Sequence, residues 1–254
     1  MPSVLGVNVL ASSYAEVVRK CTEWAQKAES RTVLFVNVHV IMEARDNPKL
    51  LEQVNRADMA NPDGVPVVWT LQAFGARNAT RVYGPDATVA LLKSAQESKI
   101  PIGFYGGTES TLAKLIGEVQ SQYPGINIAF KMSPPFRKFS EDEEEAIVRQ
   151  ITASGVRWLF VGLGCPKQEK WVCEHKDRIP AVLLAVGAAF DFIAGTKPQA
   201  PRWMMRNGLE WAFRLASEPR RLAGRYLKTN PRYMFLVAYQ WLRRNNGRMT
   251  AKAS

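Results

Sequence analysis

The residues best suited to chemistry lie in the stretch Gly162-Leu-Gly-Cys-Pro-Lys-Gln-Glu-Lys-Trp171, which follows the apolar run Val156–Val161 and opens an amphipathic segment. Two glycines at a strand end, a proline suited to a first helical turn and then polar residues are how an α/β protein offers backbone N–H groups to an anion. Gly162, Gly164, Pro166, Gln168 and Glu169 are therefore candidates to bind a diphosphate. A tight strand-to-helix turn with no ligand accounts for the same residues. Lys167 stands where the dinucleotide fingerprint needs its third glycine, and no Gly-Lys-Ser/Thr follows, so neither that fingerprint nor the nucleoside-triphosphatase loop is met.

Four other residues stand at strand ends or among apolar neighbours. Asp63, in Pro-Asp-Gly after a short apolar run, reads either as a turn residue or as a general base that takes the proton of an attacking hydroxyl. Asn37 ends another run and either starts a loop or hydrogen-bonds a polar substrate. Arg81 is a solvated surface charge or a pocket residue. Asp191, between Gly187-Ala-Ala-Phe190 and Phe192-Ile-Ala194, must find partners, so it caps local backbone or faces a ligand. The acidic run Glu141–Glu145 is explained by helix-start chemistry, because Ser140 and Glu143 have the spacing of a capping box. No Asp-x-Asp occurs, so the paired-carboxylate grip on a divalent cation is missing and no metal site is expected. His39 and His175 lie far apart with no nucleophile pattern nearby.

The elements that must position these residues alternate. Strands are expected at 32–36, 57–61, 101–105, 126–130, 156–161 and 181–186, with a further one at 4–9, and amphipathic helices lie between them. Such alternation predicts an α/β fold with a mostly parallel sheet and helices on both faces, its ligands gathering beyond the carboxyl ends of the strands. The character changes after Gly195-Thr-Lys-Pro-Gln-Ala-Pro201. The remainder is rich in Trp and Arg and helical in pattern, and Pro219 and Pro231 divide it into roughly three short helices. Residues 1–195 are thus expected as the α/β unit and 196–254 as a helical appendage.

Charge follows the same division. The chain carries +11 over 254 residues, and positions 202–248 hold eleven Arg or Lys against Glu210 and Glu218. Cations interleaved with Trp203, Trp211, Tyr226 and Tyr233 suit a helix lying on an anionic membrane surface. No nucleic-acid recognition signature accompanies them, so nucleic acid is not an expected partner. The apolar runs fall short of the roughly 20 residues a spanning helix needs. An odd number of cysteines, Cys21, Cys165 and Cys173, without metal spacing points to reduced thiols and a cytosolic setting. No secretory leader is expected.

Taken in order, Asn37-Val-His39, Pro62-Asp-Gly64, Arg81-x-x-Gly84-x-Asp86, the 162–171 stretch, Gly187-x-x-Phe190-Asp191-x-x-x-Gly195 and Ala200-Pro201-x-Trp203 resemble the WecG/TagA/CpsF glycosyltransferase family. Gly208-Leu-Glu-Trp211-x-x-Arg214 and Glu218-Pro-x-Arg221-Leu-x-x-Arg225-Tyr226 extend the resemblance to the appendage. It implies a Rossmann-like sheet and a metal-independent, inverting transfer from a UDP-sugar to a polyprenyl-diphosphate-linked sugar, on the inner face of the cytoplasmic membrane. No cofactor is implied, and a homo-oligomer stays open. By position, Asp63 would be the base, Asn37, Arg81 and Gln168 would line the pocket, and Arg214, Arg221 and Arg225 would offset the diphosphate charge. Relatives often have Thr two places before the asparagine where this chain has Phe35, so a polar contact is lost there and the sugar preference is open among N-acetylmannosamine, its uronic acid and glucose. A membrane-associated nucleotide-binding protein without transferase activity is the competing reading.

Overall fold

The computed structural model describes residues 2–135 and 137–250, and side chains as far as 245. Residues 251–254 of the expected appendage lie outside the described residues. A six-stranded sheet, every neighbouring pair parallel, forms the centre. Numbered along the chain, its strands are β3 (Arg31–Val36), β4 (Met59–Pro62), β5 (Ile102–Gly106), β6 (Ile128–Met132), β7 (Trp158–Gly162) and β8 (Val182–Ala185), in the spatial order β4-β3-β8-β7-β5-β6. The inner strands are continuous apolar runs, as burial on both faces requires. One core cluster contains Leu34, Val36, Val161 and Leu183; the other contains Val33, Phe35, Phe160 and Leu184, so alternate residues of one strand feed opposite layers.

The first expected strand is instead a two-stranded hairpin outside this sheet, β1 (Ser3–Val4) and β2 (Val7–Asn8). Leu5 and Gly6 both take positive φ, 52° and 94°, which turns the chain in two residues. The Leu5 N–H is taken by the side-chain oxygen of Gln240, 2.9 Å away, so the far end of the chain holds this strained turn.

Side-chain caps start several helices where the sequence places them. Ser13 caps α1 (Tyr14–Gln26), Asn37 caps α2 (Val38–Asp46), and Asn47 caps α3 (Pro48–Asn55). After β4 come α4 (Val65–Ala73) and α5 (Gly84–Ser98); Thr108 then caps α6 (Glu109–Gln122). Ser140 and Glu143 form the expected capping box on α7 (Glu141–Ala153), which α8 (Lys167–Glu174) and α9 (Ala189–Ile193) follow. Helix α2 leaves β3 toward the first core cluster, where Val40 and Ile41 pack, and α9 leaves the adjacent β8 toward the second, where Ala189 and Phe190 pack. Helices diverging from neighbouring parallel strands open a crevice at the carboxyl end of the sheet.

The C-terminal part is α10 (Arg202–Arg206), α11 (Glu210–Ser217) and α12 (Pro219–Thr250). Pro219 starts α12, but Pro231 lies inside it and does not break it, contrary to the expected division. A proline here removes one N–H from the ladder and frees the carbonyl of Leu227, a residue 77% exposed, so water can satisfy that oxygen. Anchors flank the site. Tyr233 is buried with its hydroxyl 2.8 Å from that of Thr70, and Arg232 forks onto Asp46 at 2.5 and 2.6 Å. Buried Leu222 adds on the order of 2 kcal/mol of apolar burial.

Candidate active site

At the carboxyl end of the sheet lies a cavity of about 1630 Å³, walled by strand ends on one side and by α11 and α12 on the other. Asn37, Asp63, Arg81, Gly162, Gly164, Gln168, Glu169, Asp191, Arg214, Arg221 and Arg225 all line it; Pro166 does not. Most single-ligand pockets run from roughly 300 to 1,000 Å³, so this one has room for two substrates.

Asp63 is placed by β4. Its N–H donates to the Val36 carbonyl at 3.0 Å, which continues the sheet by one bond and leaves the side chain at the cavity wall. Burial pushes the Asp63 carboxyl up to about 7; Arg81 and Arg214 pull the other way and Glu210 adds to the rise. Arg81 is no surface charge. Its Nη2 lies 3.5 Å from Asp63 Oδ1 and 2.5 Å from Glu210 Oε2, its Nε donates to the Asp63 carbonyl, and its guanidinium sits 4.2 Å over the Tyr83 ring. Asn37 has a structural duty, since its Oδ1 accepts the N–H groups of His39 at 3.0 Å and Val40 at 3.1 Å, yet it also borders the cavity.

In the 162–169 turn two of the amides are engaged within the turn itself. Gly164 N–H donates to Gln168 Oε1 at 3.1 Å, and Gln168 N–H returns to the Gly164 carbonyl at 3.0 Å. Pro166, joined to Cys165 by a cis peptide, precedes α8 rather than sitting in its first turn. Gly162 answers a packing demand: a Cβ there would meet Phe190 at 2.7 Å. Gln168 Nε2 donates to Glu169 Oε1 at 3.0 Å, while Glu169 Oε2 is buried without a partner. Burial, only partly offset by that Gln168 bond, pushes the Glu169 carboxyl up to about 7.

Cations also border the cavity. Arg214, Arg221 and Arg225 reach the cavity from α11 and α12. Arg221 is paired with Glu218, and Lys197 spans Asp191 at 2.9 Å and Glu218 at 3.7 Å. Asp191 also accepts from Thr196 Oγ1 at 3.2 Å and borders the cavity; its partners are side chains and not the backbone groups it was expected to cap. Phe35 packs in the core and also touches the cavity, which leaves an apolar wall where a threonine would offer a hydroxyl.

Two further lining residues, His39 and Glu210, had no site role in the sequence. His39 borders the cavity, and burial and Arg225 hold it down to about 4, so it is neutral at pH 7. Glu210 meets Arg81 across 129 positions, a distance over which no spacing rule speaks. The acidic run, by contrast, stays structural: Glu143 pairs with Arg137 at 2.6 Å and Glu145 with Arg178 at 2.7 Å.

Compared with known proteins, the chain matches the glycosyl transferase WecG/TagA/CpsF family over residues 2–247. It belongs to that family. A curated relative is the N-acetylglucosaminyldiphosphoundecaprenol N-acetyl-beta-D-mannosaminyltransferase of Bacillus spizizenii, 30% identical over 217 residues, which span 85% of this chain and 82% of the relative. The resemblance read from the ordered motifs is thereby established, and the protein is a glycosyltransferase. Among the described residues, no helix of this transferase is long and apolar enough to cross a membrane.

Proposed function

We propose that this transferase moves a hexose from a UDP-sugar to a polyprenyl-diphosphate-linked sugar, with inversion and without a metal ion, at the inner face of the cytoplasmic membrane. One observation carries the reading: Asp63 shares a single two-substrate cavity with three arginines of the appendage. A buried carboxylate titrating near neutrality can take a proton from a hydroxyl at working pH. The acceptor oxygen then forms its bond to the anomeric carbon from the side opposite the leaving group, the bond from that carbon to the diphosphate breaks, and the electron pair departs with UDP. Arg214, Arg221 and Arg225 are placed to meet the charge that develops.

The relative's name supplies the first substrates to try: an N-acetylglucosaminyl-diphosphoundecaprenol acceptor and an N-acetylmannosaminyl donor. Its uronic acid and glucose are the other donors for the panel, read by product mass. Asp63→Asn should lower kcat by about 10²-fold or more while leaving UDP affinity near wild type. Retention of more than about a tenth of the activity would sink the base assignment. Chelator should leave turnover unchanged, and lost turnover restored by a divalent ion would overturn metal independence. UDP binding with no transfer across the whole donor panel would favour a non-catalytic nucleotide-binding protein instead.

A further inference from the structure

Arg81 sits between the proposed base and the appendage, with Nε on the Asp63 backbone carbonyl and both terminal nitrogens turned to the appendage. Its Nη2 is 2.5 Å from Glu210 Oε2 but 3.5 Å from Asp63 Oδ1, and its Nη1 donates to the Met205 carbonyl at 3.4 Å. Glu210 opens α11 and Met205 lies in α10, so the hydrogen bonds of both terminal nitrogens go to the C-terminal helices, while Nε stays on the Asp63 backbone carbonyl. Glu210 and Arg81 side chains are 15% and 18% exposed, so their charges interact with little screening. Tyr83 stacks beneath the guanidinium, and the Tyr14 hydroxyl of α1 accepts the Tyr83 N–H at 3.0 Å.

A carboxylate locked to arginine is a poor base, because the ion pair stabilises its charged form and resists protonation. With no competitor, Arg81 could close its 3.5 Å gap to Asp63 into a direct pair. We infer that Glu210 is a positioning residue: by holding Arg81 on the appendage side, it leaves the Asp63 carboxylate free to accept the acceptor's proton. Docking of α10 and α11 therefore makes the base competent as well as closing the cavity. The inference rests on Asp63 being the base. The charged and titratable groups around Asp63 are Arg81, Glu210 and Arg214, with Tyr14 and Tyr83 more distant. Of these, Glu210 is the one carboxyl placed to oppose the cations.

The test is the pH profile of the full-length enzyme on its lipid-linked acceptor. In the wild type, kcat/KM should rise with pH along a limb set by Asp63. Glu210→Gln keeps an acceptor for Arg81 but removes the charge. That limb should move down by about one pH unit and the plateau kcat should fall several-fold, as expected of a weaker base. Arg81→Met should move the limb up, and in the Arg81→Met background Glu210→Gln should move it by clearly less than in the wild type, leaving only the direct repulsion between Glu210 and Asp63. Loss of activity in Glu210→Gln with the limb unmoved, or a full additional shift in the double variant, overturns the coupling. Glu210→Asp, which retains the charge, should keep the limb near the wild-type position even where the thermal midpoint drops. Should Asp63→Asn itself stay active, the base reading fails, whatever Glu210 does.

Discussion

Asp63, mostly buried, and Glu169, fully buried, are both carboxyls pushed up to about 7 at the same cavity, yet their surroundings differ. Asp63 has a guanidinium 3.5 Å away, whereas Glu169, 2% exposed, has an amide on Oε1, the Cys165 thiol beside it and, among the described residues, no hydrogen bond on Oε2. An unsatisfied buried carboxylate oxygen costs stability and is retained where a ligand uses it. The Glu169 pKa in the folded chain lies above its unfolded value, so between about 4.5 and about 7 the native state binds more protons, and stability falls as pH rises through that window. Gln does not titrate. Glu169→Gln should therefore give little change near pH 4 and a growing gain toward pH 8, bounded on the order of 3 kcal/mol, or several degrees in Tm. A Tm difference that stays flat from pH 4 to pH 8 would show that the carboxyl is not strained by burial. The same variant should lose affinity for the sugar-bearing substrates more than for UDP, if Oε2 accepts a sugar hydroxyl. At this scale Asp63 was legible because Pro-Asp-Gly ends a strand on the ligand side of a parallel sheet. Glu210 was not, because its meaning depends on a partner that only the tertiary fold brings near.

Strand ends, more than loops, set the shape of the site. β5 and β7 run side by side into Gly106 and Gly162, and Phe190 of α9 closes over the second of these. Gly106 has φ of +130°, and a Cβ on it would lie 2.4 Å from the Gly162 carbonyl oxygen, so both backbone freedom and lack of a side chain are used there. Gly162 needs only the space. Gly162→Ala should cost about 1–3 kcal/mol through overpacking, and Gly162→Ala combined with Phe190→Leu should cost less than the sum of the single changes. Simple additivity in chemical denaturation would remove Phe190 as the reason for the glycine. The main-sheet strands were legible as apolar runs bounded by turn residues. The hairpin at Leu5-Gly6 was not, since a leucine rarely takes positive φ and here relies on Gln240 from the other end of the chain. The rule that proline ends a helix also misled at Pro231, where tertiary anchors on Arg232 and Tyr233 outweigh one lost bond.

For the molecule as a whole, the two sides of α12 have different tasks. Tyr233, Leu236, Val237, Gln240 and Arg244 face inward: the first is buried, the next two pack on the core, Gln240 bonds the N-terminal hairpin and Arg244 donates to the Phe74 carbonyl at 3.4 Å. Leu227, Met234, Phe235, Trp241 and Leu242 recur at steps of seven or eight on the opposite side, where all are exposed and Phe235 reaches 71%. Trp203 and Trp211 add aromatic side chains from α10 and α11, among a strong excess of arginine. An apolar stripe left in water on a helix already anchored by its other face suits the headgroup region of an anionic bilayer, where each buried side chain contributes on the order of 1–3 kcal/mol. The sequence displayed the basic and aromatic composition but not which face would be spared by packing. Phe235→Ser with Leu242→Ser, made in the full chain, should weaken partition onto vesicles containing anionic lipid by about 10–100-fold, and added salt should weaken what remains. Turnover of a short-chain, water-soluble acceptor should stay within about twofold of wild type, because neither change touches the inward face that completes the cavity. Unchanged partition in that variant would mean that this stripe does not meet the membrane, and equal loss on the soluble acceptor would mean that it serves the cavity instead.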